Sequence, residues 1–166
     1  MTCTQRAARD GQRLRRTLVA GHRSTGMTAA LAQASGTVIA KRTALGLAAI
    51  ADPWRADHAE FALIVPEKVI AFGHSAAIVM QSSGDIARRI LRFATNESIL
   101  ATRATAELAG CRDLTALLSV QNRFAAAWFS RVSSHAIALA ALMTQAQVAS
   151  MAPVHRVATQ NSRRLR

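Results

Sequence analysis

An all-α fold built on a long antiparallel, coiled-coil-like helical hairpin is what this sequence predicts, and three observations carry the prediction. Hydrophobic residues fill 51% of the 166 positions but aromatics only 4%, so the apolar content is mostly Ala, Leu, Val and Ile. Ala is the best helix former and buries little area, which favours helices and leaves a thin core. Apolar residues also recur in steps of three and four through two long stretches, the periodicity of a helix face. Only residues 110–113 separate those stretches, and a join that short makes helices antiparallel neighbours.

Taken in chain order, residues 1–26 carry Arg6, Arg9, Arg13, Arg15, Arg16 and Arg23 against a single Asp10 and read as a basic, flexible arm. Within it, "LRRTLVAG" has the look of a twin-arginine export signal. The apolar run that should follow is broken at once by Gly21, His22, Arg23 and Ser24, so export is rejected and a cytoplasmic location expected. Residues 27–65 form an N-terminal helix and a connector. The helix, 27–51, is weakened by Gly36 and Gly46, and "ADPW" stops it because the ring of Pro53 disfavours helical geometry at Asp52.

The hairpin spans 66–153. Pro66 suits the first helical position, and Glu67 complements the helix dipole in the first turn. From there a heptad-like seam runs through Val69, Phe72, Val79, Ile86, Ile90, Phe93 and Leu100, interrupted by Ser83 and Glu97. The helix ends near Ala109, with Gly110 as the residue past its end and Asp113 as the N-cap of the next. The second long helix runs from Leu114 to about Met151, before Pro153. Its seam passes through Leu118, Trp128, Val132, Leu139 and Leu142, flanked by Phe124 and Phe129. Residues 154–166 form a basic, flexible C-terminal tail.

Chemistry is scarce. Acidic residues are scattered along the first long helix, which deprives a paired-carboxylate mechanism of its raw material. Ser82, Ser83, Ser133 and Ser134 lie in helical context without a nucleophile elbow, and Gly73 and Gly84 are too isolated for a phosphate-cradling loop. Cys3 and Cys111 fit no disulfide framework, and no histidine stands at ligand spacing from another His or Cys. No enzyme, metal or cofactor is expected.

What remains is surface. Two helices cover one stripe of each other, so Ile70, Ile78, Leu91, Leu117, Phe129 and Met143 need another cover: the N-terminal helix, other copies of the chain, or a non-protein surface. Residues 132–155 carry no formal charge apart from His protonation and are long enough to span a bilayer. Ser133, Ser134, Thr144, Gln145, Gln147 and Ser150 interrupt the run, so an amphipathic strip is expected in place of a transmembrane span. Its candidate surface-contact residues are Phe124, Phe129, Leu139, Leu142, Met143 and Val148. The net charge of +12 is carried mostly by Arg, and six arginines but no acid follow Asp113. Arg13, Arg15, Arg16, Arg163, Arg164 and Arg166 are therefore candidate contacts to phosphate, in non-specific nucleic acid or acidic lipid.

Three segments together resemble the phasin family. "VPEKVIAFGHSAA" is similar to the opening of the phasin domain, "LLSVQNRFAAAWFSR", with Phe124 three residues after Gln121, to its second helix, and "MAPVHRVA" to its exit. The resemblance covers roughly residues 66–157. It implies a helical, often oligomeric protein without a cofactor that coats polyhydroxyalkanoate granules in the cytoplasm, limits their coalescence and influences their size and number. The alternatives are a helical protein bound non-specifically to nucleic acid through its basic ends, and a coiled-coil adaptor for a protein partner.

Overall fold

A computed structural model of the chain describes residues 3–165. Three helices hold most of them: α1 (Cys3–Ala51), α2 (His58–Ala109) and α3 (Leu114–Arg164), with one 3-10 turn at Pro53–Arg55 and no strand among the described residues. The all-α class and the hairpin are as the sequence predicts. Side-chain pairs such as Glu107 with Arg123 and Glu97 with Arg131 descend α2 while climbing α3, as antiparallel neighbours must.

Each helix runs further than the sequence suggests. α1 begins at Cys3 and absorbs most of the segment read as an arm. Arg is a good helix former, and Ser134 Oγ on α3 donates to Asp10 Oδ1 at 3.0 Å, tying this first part of the helix down. α2 begins at His58, eight residues before Pro66. Asp57 caps that earlier start, its Oδ1 accepting from the Glu60 N–H at 2.9 Å. α3 continues through Pro153 to Arg164. An internal proline removes one helical hydrogen bond at a cost of about 3 kcal/mol. Here Glu60 and Glu67 flank Pro66 and share partners, and beyond Pro153 the end of α3 is anchored by Asn161, which bonds Glu67, and by Arg164, which bonds both carboxylates.

Contacts divide the chain into two compact units. Among the described residues one holds 3–17 and 82–143, and the other holds 18–81 and 144–165. Each takes a length of all three helices, so the units cut across the segments read from composition.

The α2–α3 join lies in the first unit. Gly110 N–H donates to Ala106 O at 3.3 Å and Glu107 O at 3.2 Å, and Cys111 N–H to Leu108 O at 3.1 Å. No described residue has a positive φ, so the turn closes without the left-handed cap expected of Gly110. Asp113 acts as the predicted N-cap, its Oδ1 accepting from Ala116 N–H at 2.7 Å.

The inward line of α2 passes through Glu60, Ile64, Glu67, Ala71, Ser75, Ile78, Ser82, Ile86, Arg89, Phe93, Glu97, Leu100, Ala104 and Leu108, all buried or half-buried. Its steps repeat as four, three, four: an 11-residue period. At about 3.67 residues per turn that period tracks a nearly straight α-helix, whereas a strict heptad drifts by about 20° per repeat. The heptad seam therefore coincides with the inward line at Ile86, Phe93 and Leu100 and departs from it elsewhere. Val69, Phe72, Val79 and Ile90 are exposed, as is Leu118 on α3. Trp128 is 38% exposed, and Val132, Leu139 and Leu142 are half-buried.

Candidate functional site: exposed apolar faces and a buried ion cluster

The second unit contains a groove of about 520 Å³ bordered by all three helices, with Val38, Ile39, Ile64, Ala71, Phe72, Val154 and Val157 among its lining. Val38 and Ala71 are buried at its floor, while Ile39 and Phe72 stand 65% and 59% exposed. The apolar face extends beyond the groove. On α2, Val65, Val69, Phe72, Val79 and Met80 are exposed, and on α1 so are Leu47 and Ile50. Val65, Phe72 and Val79 follow the stripe one position on from the inward line, about 100° round the helix, and Val69 and Met80 lie one position further on. Nothing in this unit turns to cover them.

At one end of the groove Arg42 and Glu67 belong to a polar cluster drawn from all three helices. Arg42 donates through Nε and Nη2 to Glu60 Oε1, at 3.0 and 2.7 Å, and through Nη2 to Glu67 Oε2 at 3.0 Å. Arg164 Nη2 reaches Glu60 Oε2 at 2.9 Å and Glu67 Oε1 at 2.7 Å, and Asn161 Nδ2 donates to Glu67 Oε2 at 2.6 Å. Glu60 and Asn161 are both only 5% exposed. Burial disfavours ionised Glu67, yet hydrogen bonds from Arg42, Arg164 and Asn161, with the Arg164 charge, hold its pKa below the ordinary carboxylate value. The carboxylates are fully occupied as ion-pair partners, so the cluster braces the helices and offers no free base.

The first unit repeats the pattern on a smaller scale. Arg131 grips Glu97 with Nε and Nη2 at 2.5 and 2.9 Å, and its guanidinium lies 5.7 Å from the Phe124 ring centre. Phe93 and His135 stack at 4.0 Å. Ile90, Leu91, Ile99, Leu114 and Phe129 are exposed, and Trp128 meets Phe129 edge-on at 5.0 Å. Among all described residues the buried apolar side chains are Val38, Ala71 and Ala138, and no large side chain is fully enclosed. No group of three His, Cys, Asp or Glu side chains gathers to hold a metal ion among them.

The family profile described as "Phasin protein" matches residues 67–157, more than half of the chain. The chain is a phasin. Comparison with curated proteins and with solved structures finds no match. The family is structural and non-catalytic, and its members associate with storage granules in the cytoplasm. The match begins at Glu67, within the buried cluster, and closes at Val157, on the groove wall.

Within this phasin the candidate contact strip does not form one exposed face. Phe129 and Met143 are exposed at 63% and 61%, whereas Phe124, Leu139, Leu142 and Val148 are half-buried. Of the candidate phosphate contacts, Arg15, Arg16 and Arg163 are exposed. Arg13 lies 3.4 Å from Asp10, Arg164 is committed to Glu60 and Glu67, and Arg166 lies outside the described residues. Sequence reading missed the Arg42–Glu60–Glu67–Asn161 cluster and the Glu97–Arg131 pair. The signal was present in the 11-residue period, which places all three glutamates on the inward face of α2.

Proposed function

We propose that this phasin coats intracellular polyhydroxyalkanoate granules, limits their coalescence and so controls granule size and number. The observation that carries this reading is the exposure of Ile39, Leu47, Ile50, Val65, Val69, Phe72, Val79 and Met80 along α1 and α2, beside an interior with no large enclosed side chain. A polyester surface rewards spread apolar area over a shaped pocket. Covering about 1,000 Å² of such area yields a gross upper bound near 25 kcal/mol at about 25 cal/mol per Å², reduced by immobilisation and by contacts given up in solution. Sister subunits shelter the same faces away from the granule, which makes a homo-oligomer the partner reading of the free protein. Salt-sensitive phosphate contact through Arg15, Arg16 and Arg163 is a separate and weaker property within this proposal.

α2 and α3 are each long and apolar enough, by length and composition alone, to cross a bilayer. Ser75 and Ser82 on α2, and Ser133, Ser134, Gln145 and Gln147 on α3, sit badly in hydrocarbon on every side. A granule surface wets one side of a helix and leaves the other to water. A fluorescent fusion in polyester-accumulating cells is expected to ring the inclusions. Diffuse signal beside well-formed granules refutes the coat, and signal at the cell membrane favours insertion.

A further inference from the structure

We propose that the cleft between α2 and α3 in the first unit, bordered by Arg89, Arg92, Asn96 and His135, is a binding site for a dianionic phosphate group. The site is separate from the apolar faces and does not depend on the granule reading.

The cleft has a volume of about 530 Å³. Three guanidinium groups border it, from Arg88, Arg89 and Arg92. Arg88 is matched: its Nη2 lies 2.5 Å from Asp85 Oδ1. Among the described residues neither Arg89 nor Arg92 has a carboxylate within ion-pair reach. Arg89 occupies the inward line of α2, and its Nε is shielded from solvent without a hydrogen-bond acceptor. A guanidinium N–H withdrawn from water and left without an acceptor is costly, and a buried orphan of this kind calls for an explanation. Arg89 also borders the cleft, where an anion gives its guanidinium charge the counter-charge that no carboxylate of the described residues supplies.

Charge and donor geometry narrow the ligand class. Two guanidinium charges stand uncompensated, so a dianion balances them where a carboxylate would leave one over. Arg89, Arg92 and Asn96 lie three and four residues apart on one helix face, and His135 faces them from α3, stacked on Phe93 at 4.0 Å. Burial first, then the charge of Arg89, hold His135 below the ordinary imidazole range. It therefore enters the site at neutral pH as a neutral hydrogen-bond donor. Guanidinium forks, an amide and an imidazole N–H around one point suit the several acceptor oxygens of a phosphate, whose monoester carries about −1.5 to −2 at pH 7.

The test is calorimetric titration of the full chain with inorganic pyrophosphate at fixed ionic strength. One saturable site is expected. Arg89→Gln with Arg92→Gln should weaken it about tenfold or more, while Arg15→Gln with Arg16→Gln, which removes the same charge from exposed positions, leaves it within about twofold. Absence of saturable binding, or equal loss in both double variants, overturns the proposal, the latter because net charge alone would then explain the affinity. Should the first double variant fail to fold, Arg92→Gln alone with the His135 imidazole resonance decides: pyrophosphate should shift that resonance in the parent and not in the variant. A second arm uses phosphatidate vesicles against phosphatidylcholine vesicles. Binding of pyrophosphate and phosphatidate, both dependent on Arg89 and Arg92, extends the site to lipid headgroups. Pyrophosphate alone restricts it to free phosphates. Phosphatidate binding without pyrophosphate binding overturns it, since a cleft must take the free group.

Discussion

Arg42 and Glu60 stand 18 residues apart on different helices and meet with Nη2 2.7 Å from Oε1, the carboxylate almost fully removed from water. Taking both charges out of water is expensive, and a buried pair is weak evidence of net stabilisation against an apolar alternative. Removing one partner is another matter, because it strands the other. With Glu67, Asn161 and Arg164 attached, the pair also fixes which turn of α2 faces which turn of its neighbours.

Glu60→Ala is accordingly expected to destabilise the protein by about 3 kcal/mol, read from urea unfolding. Glu107→Ala removes an ion pair of the same chemistry with Arg123, but both side chains there are more than half exposed. It should cost no more than about 0.5 kcal/mol. Equal effects at the two positions contradict the burial argument.

Ile78 and Val79 are adjacent in sequence and opposite in environment. Ile78 lies on the 11-residue inward line, half-buried, and Val79 is 49% exposed. Ile78→Ala should cost about 1–2 kcal/mol, and Val79→Ala about 0.5 kcal/mol or less. The reverse ranking restores the heptad seam.

Two groups set the response to acid. Burial, followed by the charge of Arg89, lowers the pKa of His135, so the unfolded chain binds its proton more readily than the folded one does. Stability should then fall as pH drops below about 6.5, down to the lower folded value, and His135→Phe should flatten that limb. Glu67 is also lowered, burial being outweighed by hydrogen bonds from Arg42, Arg164 and Asn161. Its contribution is present above the ordinary carboxylate value and is lost as pH falls through the folded one, a limb that Glu67→Gln should remove. Unfolding midpoints measured between pH 8 and 3, in steps of about one unit, resolve the two limbs.

Gly36 lies exposed within α1, and a Cβ built there meets no atom within 4 Å. Gly36→Ala should therefore raise stability by about 0.5–1 kcal/mol, visible as a higher thermal midpoint.

Much of this architecture was legible in the sequence, and the failures share a cause. Helical composition, the short join at residues 110–113 and the Asp113 cap are local signals, and the structure follows them. The ends of the helices depend on partners distant in sequence. Pro66 and Pro153 read as boundaries because a proline weakens a helix locally, yet Glu60 and Glu67 tie both sides of Pro66 to shared partners, and Asn161 and Arg164 anchor α3 beyond Pro153. A seven-residue repeat places Val69, Phe72 and Val79 on the seam, whereas α2 keeps an eleven-residue one that leaves them outside it. The apolar stripe was visible. That it faces outward was not, since adjacent stripes differ by one position and only packing decides between them.

The central claim is that the apolar face of α1 and α2 in the second unit meets the polyester. The most direct measurement is adsorption of purified protein to polyhydroxyalkanoate particles, comparing the parent with Val69→Glu plus Phe72→Glu. Both residues are exposed at 65% and 59%, so helicity and unfolding midpoint should stay nearly unchanged. Adsorption of the double variant is expected to fall severalfold. Adsorption equal to the parent by a variant of undiminished helicity contradicts the account.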